Sequence, residues 1–180
     1  MIRAIVSIAI LLSSTALVRA QAVCTRSMLQ AAADSYLAAQ TAGDLSKMSL
    51  APKVKYSENM KETTQDKGLW NTALPIALHR SIYDVGRCMT FSEVIVTEGG
   101  HPYVLGTRLK VNDGKVSEID SLVTDQGDWL FNAHDYLKYS KAEDWPFLPI
   151  DDSVSRQDLI DAGNQYLDLV FLDKGIRPPW

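Results

Sequence analysis

Proton transfer needs a group that takes the proton and a second that steadies the charge left behind. The stretch from Tyr36 to Asn59 offers both. Tyr36 lies in an Ala-rich amphipathic run, and Glu58 closes an alternating one beyond Gly43-Asp44 and Ala51-Pro52. If the helix folds across a curved sheet, phenol and carboxylate point into one concavity. Tyr56 precedes Glu58 by two positions, shares its strand face and can line the same space.

Each residue also has a plainer use. Glu58 is equally an exposed strand glutamate, and Tyr36 a core aromatic with a satisfied hydroxyl. His79-Arg80 sets an imidazole beside a guanidinium, which suits a carboxylate-bearing substrate. Adjacent strand residues face opposite ways, so only one of them can point inward, and Arg80 can instead pair with Asp84. Asp120, between Ile119 and Ser121, belongs to the polar face if Ile119 is buried. His101 and His134 have no partners at metal-ligand spacing and read as surface residues, so no metal site is expected. The chain carries no Gly-rich phosphate loop, GxSxG elbow or HExxH pair, which leaves nucleotide chemistry, serine hydrolysis and zinc proteolysis unsupported.

Positioning falls to one helix and a run of strands. Thr25 or Ser27 can cap a helix on which Met28, Leu29, Ala32, Ala33, Tyr36, Leu37 and Gln40 share a face, with Gly43 as its stop. A brief helical turn through Leu45 and Met48 precedes Pro52, and Val54–Glu58 alternates as a strand. Residues 59–67 read as a loop or short hairpin, and 69–78 is ambiguous. His79–Asp84, Arg87–Thr97, Pro102–Val111 and Lys115–Thr124 are strands, the last two joined by the hairpin turn Asn112-Asp113-Gly114. A leading helix followed by consecutive antiparallel strands predicts an α+β meander. Trp129-Leu130-Phe131 offers apolar anchors, and 132–150 reads as an irregular wrap.

The 180 residues carry a net charge of −4 with no basic run, which argues against nucleic acid as a partner. Residues 1–22 combine a basic start, a short apolar stretch and small-residue cleavage sites, so they read as a secretory signal peptide. No later stretch approaches the ~20 apolar residues of a membrane helix. Secretion or the secretory lumen is therefore expected, without membrane attachment. In that compartment the two cysteines, Cys24 and Cys88, are expected to form one disulfide rather than a reactive thiol or a metal site. Residues 23–140 form one domain and 141–155 a linker or wrap. Over 156–180, Arg156, Leu159, Ala162, Tyr166 and Leu167 repeat Arg26, Leu29, Ala32, Tyr36 and Leu37 at a constant offset, as the start of a duplicated unit.

Tyr36, then Ala42-Gly43-Asp44, then Glu58 resembles the signature run of the ketosteroid-isomerase-like, or NTF2-like (SnoaL-like), superfamily. CMTFSEVIVT, HPYVLG and VTDQGDWLFNA resemble a group of secreted fungal proteins with that fold, over residues 24 to 180. Members of that group continue into a second, similar unit, which makes 156–180 a truncated second repeat. The resemblance implies an α+β cone of helices over a curved antiparallel sheet, enclosing a deep apolar pocket and needing no cofactor. The strand acid, here Glu58, is the implied general base, and the helix tyrosine, here Tyr36, the implied holder of an enolate oxygen. A protonated aspartate of the isomerases maps to Thr107, a weaker donor.

The implied activity is an isomerase or cyclase acting on a small apolar carbonyl compound. One such class joins two maleic-anhydride polyketide units into nonadrides, and Arg80 would suit that substrate. The alternative is a secreted module that binds an apolar ligand or a protein partner without chemistry. Oligomeric state stays open, with a homodimer one arrangement because open sheet faces in the superfamily often pair.

Overall fold

The computed structural model describes residues 23–146, 148, 149 and 152–172. The expected signal peptide over 1–22 and the Pro178-Pro179-Trp180 end lie outside the described residues. The chain divides into a unit through Lys141 and a second from Ala142 onward. Helix α1 spans Arg26–Ala42, capped by the Thr25 hydroxyl, which accepts from Met28 N–H. Gly43 ends it in the left-handed region at φ 62°, and a side chain there would collide with the backbone of Ala73.

Six strands follow: β1 (Leu50–Glu58), β2 (Lys61–Thr63), β3 (Leu78–Asp84), β4 (Met89–Val96), β5 (Tyr103–Asn112) and β6 (Lys115–Thr124). They form one curved sheet in the order β2-β1-β6-β5-β4-β3. The expected α+β class holds, with β3 to β6 as the antiparallel meander. The pairing of β1 with β6 differs from that expectation, because it is parallel. The chain therefore leaves β2 at one edge, crosses over and re-enters at β3 on the other. The crossing segment contributes Trp70 and Leu74, both buried, and Trp70 stacks on Tyr56 at 4.9 Å between ring centroids.

The core lies between α1 and one face of the sheet. Leu29 and Tyr36 of the helix pack in one cluster with Val94, Val96, Leu105, Leu109 and Ile119, all essentially inaccessible to solvent. Cys24 and Cys88 are bonded, with Cα atoms 5.7 Å apart, and tie the start of α1 to the turn between β3 and β4. Among the described residues no helix is long and apolar enough to cross a membrane.

Residues 132–150 are not the irregular wrap the sequence led us to expect, because α2 occupies Ala133–Ala142. Its start is fixed by Asn132, whose side chain accepts from Asp135 N–H and donates to the Asp135 carboxylate. Asn132→Ala should cost about 1 kcal/mol, read as a lower urea midpoint at unchanged slope. Nor is Trp129-Leu130 an anchor: these two side chains are 89% and 81% exposed. In the second unit, α3 runs Arg156–Leu172, the same 17 residues in length as α1. The repeated sequence carries the helix but not the burial, since Leu159, Tyr166 and Leu167 are exposed.

Candidate active site

Among the apolar side chains on the face of the sheet under α1 runs one row of oxygen-bearing side chains. Register places Glu58 of β1 beside Ser121 of β6, Ser121 beside Thr107 of β5, Thr107 beside Ser92 of β4 and Ser92 beside Ser81 of β3. The Thr107 and Ser121 hydroxyls share a hydrogen bond of 3.0 Å, and those of Ser81 and Ser92 one of 2.8 Å. From above, Tyr36 brings its phenol 2.8 Å from Thr107 Oγ1. A polar group in this interior needs a partner, and the row supplies one. Thr90, two residues before Ser92 on β4, lacks one among the described residues: its hydroxyl is buried and unpartnered.

Glu58 closes the row at the β1 end. Its Oε2 accepts from the Tyr56 hydroxyl and, at 2.9 Å, from the backbone N–H of Leu69. Both partners depend on the crossing segment. Trp70 stacks on the Tyr56 ring, and a side chain at Gly68 would run into the Tyr56 hydroxyl. Glycine is thus required by close approach. Glu58 itself is half-buried, whereas Tyr36, Tyr56 and Thr107 are buried.

The three phenols around this carboxylate share its field. Burial, offset in part by the Thr107 hydrogen bond and reinforced by the Glu58 charge, pushes Tyr36 up to about 12. Tyr56 is raised further by burial and by its bond to Glu58, and Tyr103 is raised by burial and by Asp125 and Glu58. A phenol raised by folding stabilises the native state fully below its ordinary value of about 10 and loses that contribution as pH climbs through the folded value. Stability should accordingly be insensitive to these groups up to about pH 10 and fall by roughly 3 kcal/mol for Tyr36 alone towards pH 12. Urea midpoints across that window check this. Tyr36→Phe should flatten the fall, and a profile already flat in the parent protein contradicts it.

Not every candidate from the sequence reaches this site. Asp120 and Arg80 lie on the opposite face of the sheet. A bulge at Ser117, between the pairs Val111–Val116 and Lys110–Glu118, inserts one residue into β6. It turns Ile119 and Ser121 inward and Glu118 and Asp120 outward, and Ile119 is fully buried. The Asp120 carboxylate is held down despite its partial burial by the Ser57 hydroxyl and the Arg108 guanidinium. Arg80 pairs across strands with Glu93 at 3.7 Å and donates to the Ser140 carbonyl at 2.8 Å, which ties α2 to that outer face. His79 stays on the α1 side but four strands away from β1, exposed in a groove beside Leu37, Ala38 and Lys47.

The site gains residues that the sequence did not point to. Ser121 and Ser92 became visible only with the register, and Tyr103 stacks on His101, which approaches Asp125 at 3.7 Å. A serine or threonine on the same face in three consecutive strands was the available signal.

No family model matches the chain, and no curated protein matches it. Solved structures with a similar outline include an NTF-2 like protein of unknown function from Burkholderia xenovorans, at 14% identity and a TM-score of 0.44. That overlap covers 57% of this chain and 88% of the other. AclR, a candidate hydroxylase from Streptomyces galilaeus, overlaps 71% of this chain and 92% of its own at 16% identity and TM-score 0.41. A candidate ketosteroid isomerase from Kribbella flavida overlaps 72% and 96%, at 16% identity and TM-score 0.42. Likeness at this level says nothing of chemistry.

Proposed function

We propose that the chain is a cofactor-free acid–base catalyst that forms an enolate on a small apolar carbonyl compound. The observation that carries this reading is the convergence of Glu58 with the Tyr36–Thr107–Ser121 hydroxyl chain at one end of the buried row. Glu58 Oε2 is committed to Tyr56 and Leu69, so Oε1 is the oxygen that takes the carbon-bound proton. The phenol of Tyr36, kept neutral by burial, donates to the oxygen on which charge develops. Thr107 and Ser121 polarise that donor from behind. Reprotonation by Glu58 at another carbon gives an isomer, and attack of the carbanion on a second carbonyl-activated centre gives a cyclised product.

The nonadride-forming cyclases are the finer assignment within this chemistry. Arg80 lends it no support, because it faces away from Glu58. The Cys24–Cys88 bond fits an oxidising compartment and hence the secretory route.

One specific observation favours the second reading, a module that binds without reacting. Tyr36 and Thr107 are 1% and 0% exposed and already satisfy each other, so a carbonyl reaches them only if the interior opens. Deuterium exchange decides between the two. In D2O the parent chain should strip the α-proton signal of a cyclic enone faster than buffer does, and Glu58→Gln should not. Exchange no faster than buffer removes the catalytic reading.

A further inference from the structure

Away from Glu58, the loop after β6 and the first turns of α2 enclose a groove of about 500 Å³. Aromatic rings dominate it: Trp129, Phe131, Tyr136 and Tyr139, with the carboxylates of Asp128 and Asp135 beside them. No lysine or arginine is among the described residues that line it. Trp129 and Tyr139 are 89% and 64% exposed, an unusual position for side chains that gain most from burial.

The loop that carries Trp129 and Phe131 is tied by its own backbone. Asp125 N–H donates to the Asp128 carboxylate at 3.0 Å, Asp128 N–H to the Asp125 carbonyl at 3.2 Å, and Phe131 N–H to the Asp128 carbonyl at 3.2 Å. Between the two aromatics of this loop, Leu130 adopts a left-handed backbone at φ 55°, a conformation that a leucine rarely adopts without support. The Tyr136 hydroxyl donates to Glu93 at 2.6 Å and sets that ring in place.

We propose that this groove binds a small organic ammonium ion, of the quaternary type found in choline. Ring faces carry negative potential and attract a cation that is poorly hydrated. One face here already does so, since Lys138 Nζ lies 5.4 Å from the Tyr139 ring centroid. Asp128 and Asp135 each spend one oxygen on the loop or the helix cap, and the second is in no hydrogen bond among the described residues. Their charge complements a cation, repels an anion and gives a neutral ligand no advantage. The groove is independent of Glu58, so this proposal stands whether or not enolisation is observed.

Calorimetric titration of the full chain tests it with choline against 3,3-dimethylbutan-1-ol, which has the same shape without the charge. Choline should bind, and the neutral isostere should bind about tenfold more weakly or not at all. Trp129→Ala, which removes an exposed ring, should cut choline affinity by about tenfold at an unchanged melting temperature. Asp135→Asn should weaken it severalfold. Co-sedimentation with phosphatidylcholine vesicles would place the ammonium on a lipid, and its absence would leave a free cation, both within the proposal. Equal binding of choline and the isostere, no choline binding at millimolar concentration, or full binding by Trp129→Ala would overturn it. A dimer that buries Trp129 would do so as well, because a second copy would then be the occupant.

Discussion

Glu58→Gln is expected to slow enolisation by roughly 10²–10⁴-fold and to leave the fold intact. The glutamine oxygen can still accept from Tyr56 and from Leu69 N–H, so the crossing segment keeps both anchors. What is lost is the ability to hold a proton between removal and return. The loss should fall on kcat with KM little changed, because the carboxylate acts on the reacting C–H bond and not on substrate docking. Tyr36→Phe should cost less than Glu58→Gln. The Thr107 hydroxyl remains within the interior and can take over part of the donor role. A Glu58→Gln variant that binds its ligand and turns it over like the parent would leave only the binding reading.

Replacing both cysteines, as Cys24→Ser with Cys88→Ser, is expected to lower stability by about 4 kcal/mol on the loop-entropy account. The bond closes a loop of sequence separation 64 and joins α1 to the β3–β4 turn. Without it the start of α1, which carries Leu29 and Ala33 into the core, keeps its packing, the Thr25 cap and the Arg26 guanidinium over the Tyr83 ring, but no covalent tie. The double variant avoids a lone thiol that could pair between molecules. Urea unfolding should show the change, and reduction of the parent protein should reproduce it. An unchanged midpoint in both would mean that the stapled segment unfolds independently of the sheet. A loss of this size is a large fraction of the stability of a typical domain.

The helix and the meander were readable from the chain because their signals are local. Seven residues at helical spacing with Thr25 and Gly43 at the ends define α1, and Asn112-Asp113-Gly114 defines the β5–β6 hairpin. The parallel pairing of β1 with β6 was not readable, since partners on either side of a long crossing leave no local pattern. Helix α2 was missed because its signal is a single capping asparagine, with tyrosines that face outward and blur the periodicity.

The candidate site was legible in part for the same reason. Tyr36 and Glu58 lie on elements whose inner faces follow from periodicity, and the structure sets Glu58 at one end of the row and Tyr36 over Thr107, two strands in. Asp120 was placed by its neighbour, on the polar face if Ile119 is buried, and Ile119 is buried. That face, set by the bulged residue at Ser117, is the outer one, where Asp120 meets Arg108 and not Glu58. Arg80 was one of two neighbours of which only one could face inward. His79 took that side but on the far edge strand, which leaves neither beside Glu58.

Whether one ligand meets the carboxylate and the phenol together can be measured directly. With tyrosine Cζ labelled with carbon-13, a planar naphtholate that imitates the enolate should shift the Tyr36 resonance on titration. Glu58→Gln should preserve that shift, and Tyr36→Phe should weaken binding. A naphtholate that binds while leaving Tyr36 unmoved would contradict the account, because the phenol would then be a packed core residue and nothing more.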